Sequence, residues 1–471
     1  MAATTGRLRA GAAQVSITPG GGVHLSGAVG AYRPAKLVAD PLYAKAVVFE
    51  QDGRKLCFLA LDVTIVCAPY TRRIREVAAR ELGFDPDAVL VHATQTHSAP
   101  SLGYFMVDDD FPEMPAEFEW VRGSEAHYGD WAVEQAIEAI RLACGRLEPV
   151  CLGMGSGIEG RMAHNRRAVM RDGKVTMPGR AWPSPLGPTE IRYLEGPIDP
   201  EVGVVCVRRP DLSVAAFLLH HTCHPVHVFP KLILSADWPG AWGAAMARTH
   251  GADTVSLVLN GACGNINPWP PFDPDYPDDH HLMGDTLAAV SEKVLETLEF
   301  TDQAALDWRV RHLKIPLREV PRAELDWARG ILERQPQPAW ADAARTHIDA
   351  DWTTAASIYS VHLARERDPN LDYEVQVLRL GDLAVVGLPG EPFVEGGLRL
   401  KIASPTYPTY VAHCTSHYVG YIPTREALHR GGHEVNTRYW AKLVPEALDQ
   451  IVDGATEVLR EVFGGEVRGD G

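Results

Sequence analysis

The sequence predicts an α/β fold, a large mixed-sheet single domain with helices packed around it and a functional site at the carboxyl ends of strands. Three observations carry this expectation. Short apolar runs of strand length alternate with stretches of helical spacing along most of the 471 residues. No repeat, heptad array or low-complexity linker divides the chain, so residues 1–471 read as one unit. The polar residues best suited to chemistry follow directly on apolar strands, where ligands collect in α/β sheets.

Taken in order, Ala12–Ile17 reads as a strand ended by Thr18-Pro19-Gly20. Ala46–Phe49 and Lys55–Leu61 read as a hairpin whose tight turn is Asp52-Gly53. Tyr70–Leu82 has helical spacing, with Ile74, Val77 and Ala78 on one face. A short strand, Asp87–Val91, then opens into the loop His92–Pro100. Glu125–Cys144 is an amphipathic helix whose buried side takes Trp131, Ile137, Ile140 and Ala143. Strand Val150–Met154 runs into Gly155-Ser156-Gly157-Ile158-Glu159-Gly160. This matches G-x-G-x-x-G but lacks the helix that a dinucleotide-binding turn must open. Gly179–Pro200 is a Gly/Pro-rich loop with the length of a lid.

Strands at Val202–Arg208, Val214–Leu219 and Thr254–Leu259 accompany a helix at Trp238–Thr249. Helices follow at Asp279–Leu298, at Arg322–Arg334 and through much of Trp340–Arg367. Val375–Leu380 and Leu383–Leu388 form a hairpin around Gly381-Asp382. The chain closes with a strand at Tyr407–Ala412, a loop to Thr437 and a helix near Val444–Phe463.

Lys and Arg number 45 against 61 Asp and Glu, for a net charge of -16. Such a surface repels phosphate backbones and anionic lipid, which argues against nucleic acid or membrane as a partner. The most hydrophobic stretch, Leu56–Cys67, contains Asp62 and falls short of the ~18 apolar residues of a membrane span. The first residues carry no apolar signal segment, so a cytoplasmic protein is expected. None of the eight cysteines forms a C-x-x-C pair, which fits buried free thiols.

The stretch Leu218–Gly240 carries His220, His221, His224 and His227, with Pro225 and Pro230 stiffening it. Closely spaced imidazoles at the end of an apolar strand suit a metal site. His97, Asn265, Asn267, Glu391 and Tyr421 likewise follow strands, an arrangement that allows independent loops to point at one cavity without proving it. H-E-x-x-H and G-x-S-x-G are both missing, which excludes a zincin and an α/β-hydrolase elbow.

Seven short motifs then appear in a family-like order. They are Thr96-His97-Ser98-Ala99-Pro100, Asn165-Arg166, His224-Pro225, Ser235-Ala236-Asp237, Gly261-Ala262-Cys263-Gly264-Asn265, Gly390-Glu391-Pro392 and Tyr421-Ile422-Pro423-Thr424. The set resembles the catalytic domain of the neutral ceramidases, zinc amidases that split the N-acyl bond of ceramide, from about Ala12 to the final helix. The resemblance implies zinc held by His224, Glu391 and Tyr421. The family's remaining ligand, the first histidine of Thr-His-Thr-His, is Gln95 here, within Thr94-Gln95-Thr96-His97. His97 matches the family's second histidine, Arg166 an active-site arginine, and His433 the position of a second tyrosine. The family's Gly-Asp-Val-Ser is changed to Gly264-Asn265-Ile266-Asn267. The immunoglobulin-like C-terminal domain usual in the family has no counterpart.

These residues lead to a metal-dependent hydrolase of an N-acyl bond in a small soluble substrate. Zinc sits on His224, Glu391, Tyr421 and either Gln95 or His97, with His97 and His433 moving protons and Arg166 binding a carboxylate or oxyanion. Trp182, Trp238, Trp269 and Phe272 stack on the substrate. The alternative is a metal-free glycoside hydrolase whose carboxylates come from Asp237, Glu391 and the acidic loop Asp273–Asp279. A third reading, a binding protein on a retired hydrolase scaffold, leaves unexplained why His97, Arg166, His224, Glu391 and Tyr421 all persist.

Overall fold

Each of three sheets owes its shape to one βαβ crossover, the only way to join neighbouring parallel strands. A computed structural model describes residues 6–177, 190–273 and 275–464. In the first sheet the order is Val89–Ala93, Arg54–Leu61, Tyr43–Gln51, Arg9–Ser16 and Glu148–Pro149. Helix Ala68–Leu82 joins its parallel edge pair, Arg54–Leu61 and Val89–Ala93. The second sheet runs Val255–Asn260, Val214–His221, Glu201–Arg208, Cys151–Ile158 and Phe300–Thr301. There helix Asp237–His250 links the parallel pair Val214–His221 and Val255–Asn260. The third runs Leu306–Pro316, Asn370–Leu380, Leu383–Gly387 and Thr409–Ala412, with helix Val394–Ala403 between its last two, parallel strands.

Strand periodicity divides the apolar residues between layers. In Tyr43–Gln51, Ala44, Ala46 and Val48 face the helices while Val47 and Phe49 enter a central core. That core also takes Leu218 and Leu257 from the second sheet and Leu378 and Val385 from the third. Both faces of the strand are covered, so it reads as a continuous apolar run and not an alternation. Helix Ala447–Phe463 covers the outer face of the third sheet through Leu448, Ile451, Ala455 and Leu459.

The carboxyl ends of the three crossovers are tied together. The His92 Nδ1–H donates to the His413 carbonyl at 2.7 Å, and His92 Nε2 accepts the Asn260 N–H at 3.0 Å. The His413 N–H in turn donates to the Asn260 carbonyl at 3.1 Å. The Asn260 side chain donates to the Thr94 carbonyl at 3.0 Å and accepts the Cys223 N–H at 3.2 Å. Loops leaving three different sheets therefore start from one buried knot.

Several elements differ from the sequence reading, each for a physical reason. The strand after Asp87 runs on to Ala93, because His92 is a buried polar partner and not a loop residue. Cys151–Ile158 absorbs the Gly155-x-Gly157 motif into a strand. A Cβ at Gly155 would stand 2.8 Å from Leu298, and one at Gly157 2.6 Å from Val290, so these glycines let a helix press on the sheet. Trp131 is 41% exposed, on the solvent side of its helix. The helix predicted across Trp340–Arg367 begins only at Ala350. Leu306–Pro316 is a strand that charged residues hide, since it pairs along its whole length at a half-exposed edge. All eight cysteines are free. No helix among the described residues is long and apolar enough to cross a membrane.

Burial pushes the His92 pKa down to about 4, so the fold holds it neutral. Its contribution is therefore complete above pH ~6.5 and is lost as pH falls toward 4. His92→Leu leaves the Asn260 N–H and His413 carbonyl unpaired and is expected to cost about 2–4 kcal/mol at pH 7. Urea unfolding at pH 7 and pH 5 checks this, with the gap between wild type and variant narrowing at pH 5.

Candidate active site

His224 lies three residues beyond strand Val214–His221, and the Ile266 carbonyl fixes it twice, accepting its backbone N–H at 3.2 Å and its Nδ1–H at 3.0 Å. A carbonyl only accepts, so Nδ1 carries the proton and Nε2 presents its lone pair to the site. Facing it at 3.0 Å is Glu391 Oε2. The chain reaches Glu391 through Gly390, whose φ of 72° and 2.5 Å clearance to the Gly420 carbonyl admit no side chain. Glu391–Pro392 pairs in parallel with Tyr421–Ile422, which sets Glu391 beside Tyr421 by register. The other carboxylate oxygen, Oε1, accepts the Tyr418 hydroxyl at 2.7 Å.

Two lone pairs cannot face each other at 3.0 Å without a cation between or beside them. A proton or a metal ion must complete the His224–Glu391 pair. An imidazole whose Nδ1–H is held by a backbone carbonyl is the usual second support of a metal-binding Nε2. Burial opposes ionisation of Glu391, yet His224, Tyr418 and Arg166 outweigh it and hold the carboxyl well below the usual range.

Arg166 enters from strand His164–Asn165, which pairs with Ile266–Asn267. Its Nε donates to Glu434 Oε1 at 2.8 Å and its Nη1 to Asn267 Oδ1 at 3.3 Å, with His224 Nε2 3.5 Å away. The guanidinium lies 5.4 Å from the Tyr421 ring centroid, and its Nη2 is buried with no protein partner. Glu434 Oε2 takes Arg167 Nη1 at 2.6 Å, so one carboxylate serves two buried guanidinium groups. Against the burial cost, Arg166 and Arg167 pull the Glu434 pKa down to about 2. Burial first, and then the Glu391 charge, push the Tyr421 phenol well above its ordinary value. As a ligand, Tyr421 would need a cation to draw off its proton.

His97 stands edge-on to His224, with ring centroids 5.6 Å apart, and its Nε2 is buried without a partner. A Cβ at Gly27 would lie 2.4 Å from its Nδ1, so glycine makes room for this ring. Burial lowers the His97 pKa to about 3. His433 flanks the other side, 5.6 Å from the Tyr421 ring and stacked on Trp440.

The remaining sequence candidates fall elsewhere. Gln95, at φ 70°, is buried and accepts the Cys263 thiol at 3.5 Å. Asp237 spends both oxygens locally: Oδ1 on His227 at 2.9 Å and the Trp238 N–H, Oδ2 on the Val228 N–H. His221 binds the Glu201 carbonyl. Trp238 is fully buried, with its indole on the Cys223 carbonyl, whereas Phe272 is 51% exposed. Asn265 braces the helix at Val394 and Glu395. Trp182 and residues 179–189, half of the loop Gly179–Pro200, lie outside the described residues. Among the described residues, the trio of His, Cys, Asp or Glu whose donor atoms lie within 4.8 Å of one another is Asp40, His280 and His281. His97 therefore stands off from the His224–Glu391 pair. Tyr418, Arg167 and Glu434 escaped the sequence reading, although Arg167 and Glu434 adjoin Arg166 and His433.

Neutral ceramidase from Pseudomonas aeruginosa superposes with a TM-score of 0.70 over 97% of this chain and 74% of that one, at 17% identity. The chain has the neutral ceramidase fold. A second solved structure, a ceramidase complexed with C2, matches with the same score and identity over 97% of this chain and 75% of that one. Neither a family profile nor a curated protein matches the sequence. The likeness to neutral ceramidase is thus one of fold.

Removing one partner of a buried ion pair strands the other charge. Glu434→Gln is accordingly expected to cost about 3–5 kcal/mol in urea unfolding. Tyr418→Phe is expected to cost about 1.5–3 kcal/mol, as for a hydrogen bond to a charged acceptor. Breaking the exposed Arg322–Asp326 pair by Arg322→Ala sets the baseline at under ~1 kcal/mol.

Proposed function

We propose that this chain is a zinc-dependent hydrolase acting on the N-acyl bond of a small soluble molecule. The observation that carries the reading is His224 Nε2 held 3.0 Å from a buried Glu391 oxygen, with Nδ1 turned to the Ile266 carbonyl. These donors fit zinc, which takes imidazole and carboxylate at about 2.0–2.2 Å. His224, Glu391 and Tyr421 would hold the ion; Gln95 is already engaged by Cys263, and His97 stands farther off. When bound, zinc supplies a Lewis acid that polarises a carbonyl and brings the pKa of water to ~7.

The chain's own residues do the rest. Arg166, fixed by Glu434 and Asn267, directs its unpartnered Nη2 at negative charge building on the acyl oxygen or at a substrate carboxylate. His97 is neutral, with a free Nε2, and is placed to take a proton and return it to the departing nitrogen. His433 offers a second proton carrier beyond Tyr421. Tyr418 holds Glu391 in one orientation. The net charge of -16 supports a soluble N-acyl amino acid or amino sugar over a substrate embedded in anionic lipid.

A metal-free reading has one observation of its own: the neutral Gln95 at the position where the resemblance expects a ligand histidine. A proton shared between His224 and Glu391 would then replace the metal, and a glycoside hydrolase would result. The locked state of Asp237 leaves Glu391 without an obvious carboxylate partner for that chemistry.

Turnover of an N-acyl amino acid and amino sugar panel, after chelator treatment and after zinc addition, separates the readings. Zinc is expected to restore amide hydrolysis. Arg166→Ala should lower kcat/KM by about 10²–10³-fold and His97→Ala by about 10²–10⁴-fold. Unchanged turnover in His224→Ala and Glu391→Ala sinks the proposal. Glycoside cleavage by chelated protein would establish the metal-free alternative.

A further inference from the structure

A second group of metal-binding side chains lies apart from the His224–Glu391 pair. His280 Nε2 is 3.1 Å from Asp40 Oδ2, and the His280 and His281 rings lie with centroids 4.0 Å apart. Donor atoms of all three residues fall within 4.8 Å of one another, with Asp40 and His280 half-buried and His281 exposed. Distant segments bring them together. Asp40 follows strand Leu37–Val38, which pairs with Ile233–Leu234, whereas the histidines open helix His280–Leu295.

A bare helix N-terminus disfavours a cation, because its partial charge is positive. Here the Asp279 carboxylate caps the helix by accepting the His281 and Leu282 N–H groups. His280 also feels the negative charge of Asp40, Asp237 and Asp279. The local field at these imidazoles is thus made favourable to a cation.

We propose that Asp40, His280 and His281 bind one divalent transition-metal ion of the zinc type, open to water on the His281 side. Two imidazoles and a carboxylate are a borderline donor set, suited to zinc and poorly suited to magnesium or calcium. On binding, the ion displaces the Nε2 proton that His280 gives to Asp40; the proton leaves to water, Nδ1–H keeps the ring neutral, and both side chains ligate the ion. The Ser235 hydroxyl donates to Asp40 and accepts the Asp237 N–H at 2.9 Å, while Asp237 holds His227. The ion would clamp helix His280–Leu295 to the same loop that presents His224.

Equilibrium dialysis against Zn²⁺ with elemental analysis tests the site independently of catalysis. The His224→Ala/Glu391→Ala double variant is expected to retain one zinc per chain. Adding His281→Ala should weaken that binding at least ~10-fold. In the otherwise intact chain, His281→Ala, an exposed change with little bearing on folding, should lower bound zinc by one equivalent. Absence of zinc from the folded double variant, or an unchanged zinc affinity on adding His281→Ala, overturns the proposal.

Discussion

The hydrogen-bonded knot of His92, Asn260 and His413 is the constraint on which the rest depends. Each residue ends or adjoins an edge strand of a different sheet, and together they fix how the three βαβ crossovers face one another. Neutral His92 can give one hydrogen bond and accept another, and both are used, so the knot leaves no stranded polar group on that ring. Everything chemically interesting then leaves from its rim: Gln95 and His97 past Ala93, Asn267 past Asn260, and Tyr418 and Tyr421 past His413. His224 and Glu391 follow the neighbouring parallel strands.

Around that knot the protein tolerates an unusual concentration of buried charge. Arg166, Arg167, Glu391 and Glu434 are all nearly inaccessible. Desolvating such groups costs several kcal/mol each, and an apolar substitute of the same shape would often be as stable. Stability alone therefore gives no reason to keep them. Their arrangement instead fixes directions: Glu434 clamps the Arg166 guanidinium so that Nη2 is left over, and Tyr418 clamps Glu391 so that Oε2 faces His224. A preorganised field of this kind is what a reaction that develops charge requires.

Much of the frame was legible in the sequence, since strand and helix periods follow from burial. The placement of His97, His224, Glu391 and Tyr421 past strand ends pointed to one convergent site. What stayed hidden was hidden for physical reasons. Leu306–Pro316 pairs as a half-exposed edge strand, so its charged residues mask the pattern. Gly155 and Gly157 mimic a phosphate loop because close helix packing and phosphate approach both demand a missing side chain. Asp237 resembled a catalytic carboxylate, but its role as a lock on His227 and Val228 appears only once the loop is folded. Glu434 and Tyr418 act on residues 268 and 27 positions away, through an irregular segment without periodicity.

The central claim is that a metal ion completes the His224–Glu391 pair. X-ray absorption at the zinc edge, recorded on zinc-loaded His281→Ala protein, addresses it most directly. The account predicts only nitrogen and oxygen neighbours at about 2.0–2.2 Å, with no sulfur at about 2.3 Å. A sulfur neighbour would move the ion to Cys263, beside Gln95 and His413, and would contradict the account, as would a protein that retains no zinc at all.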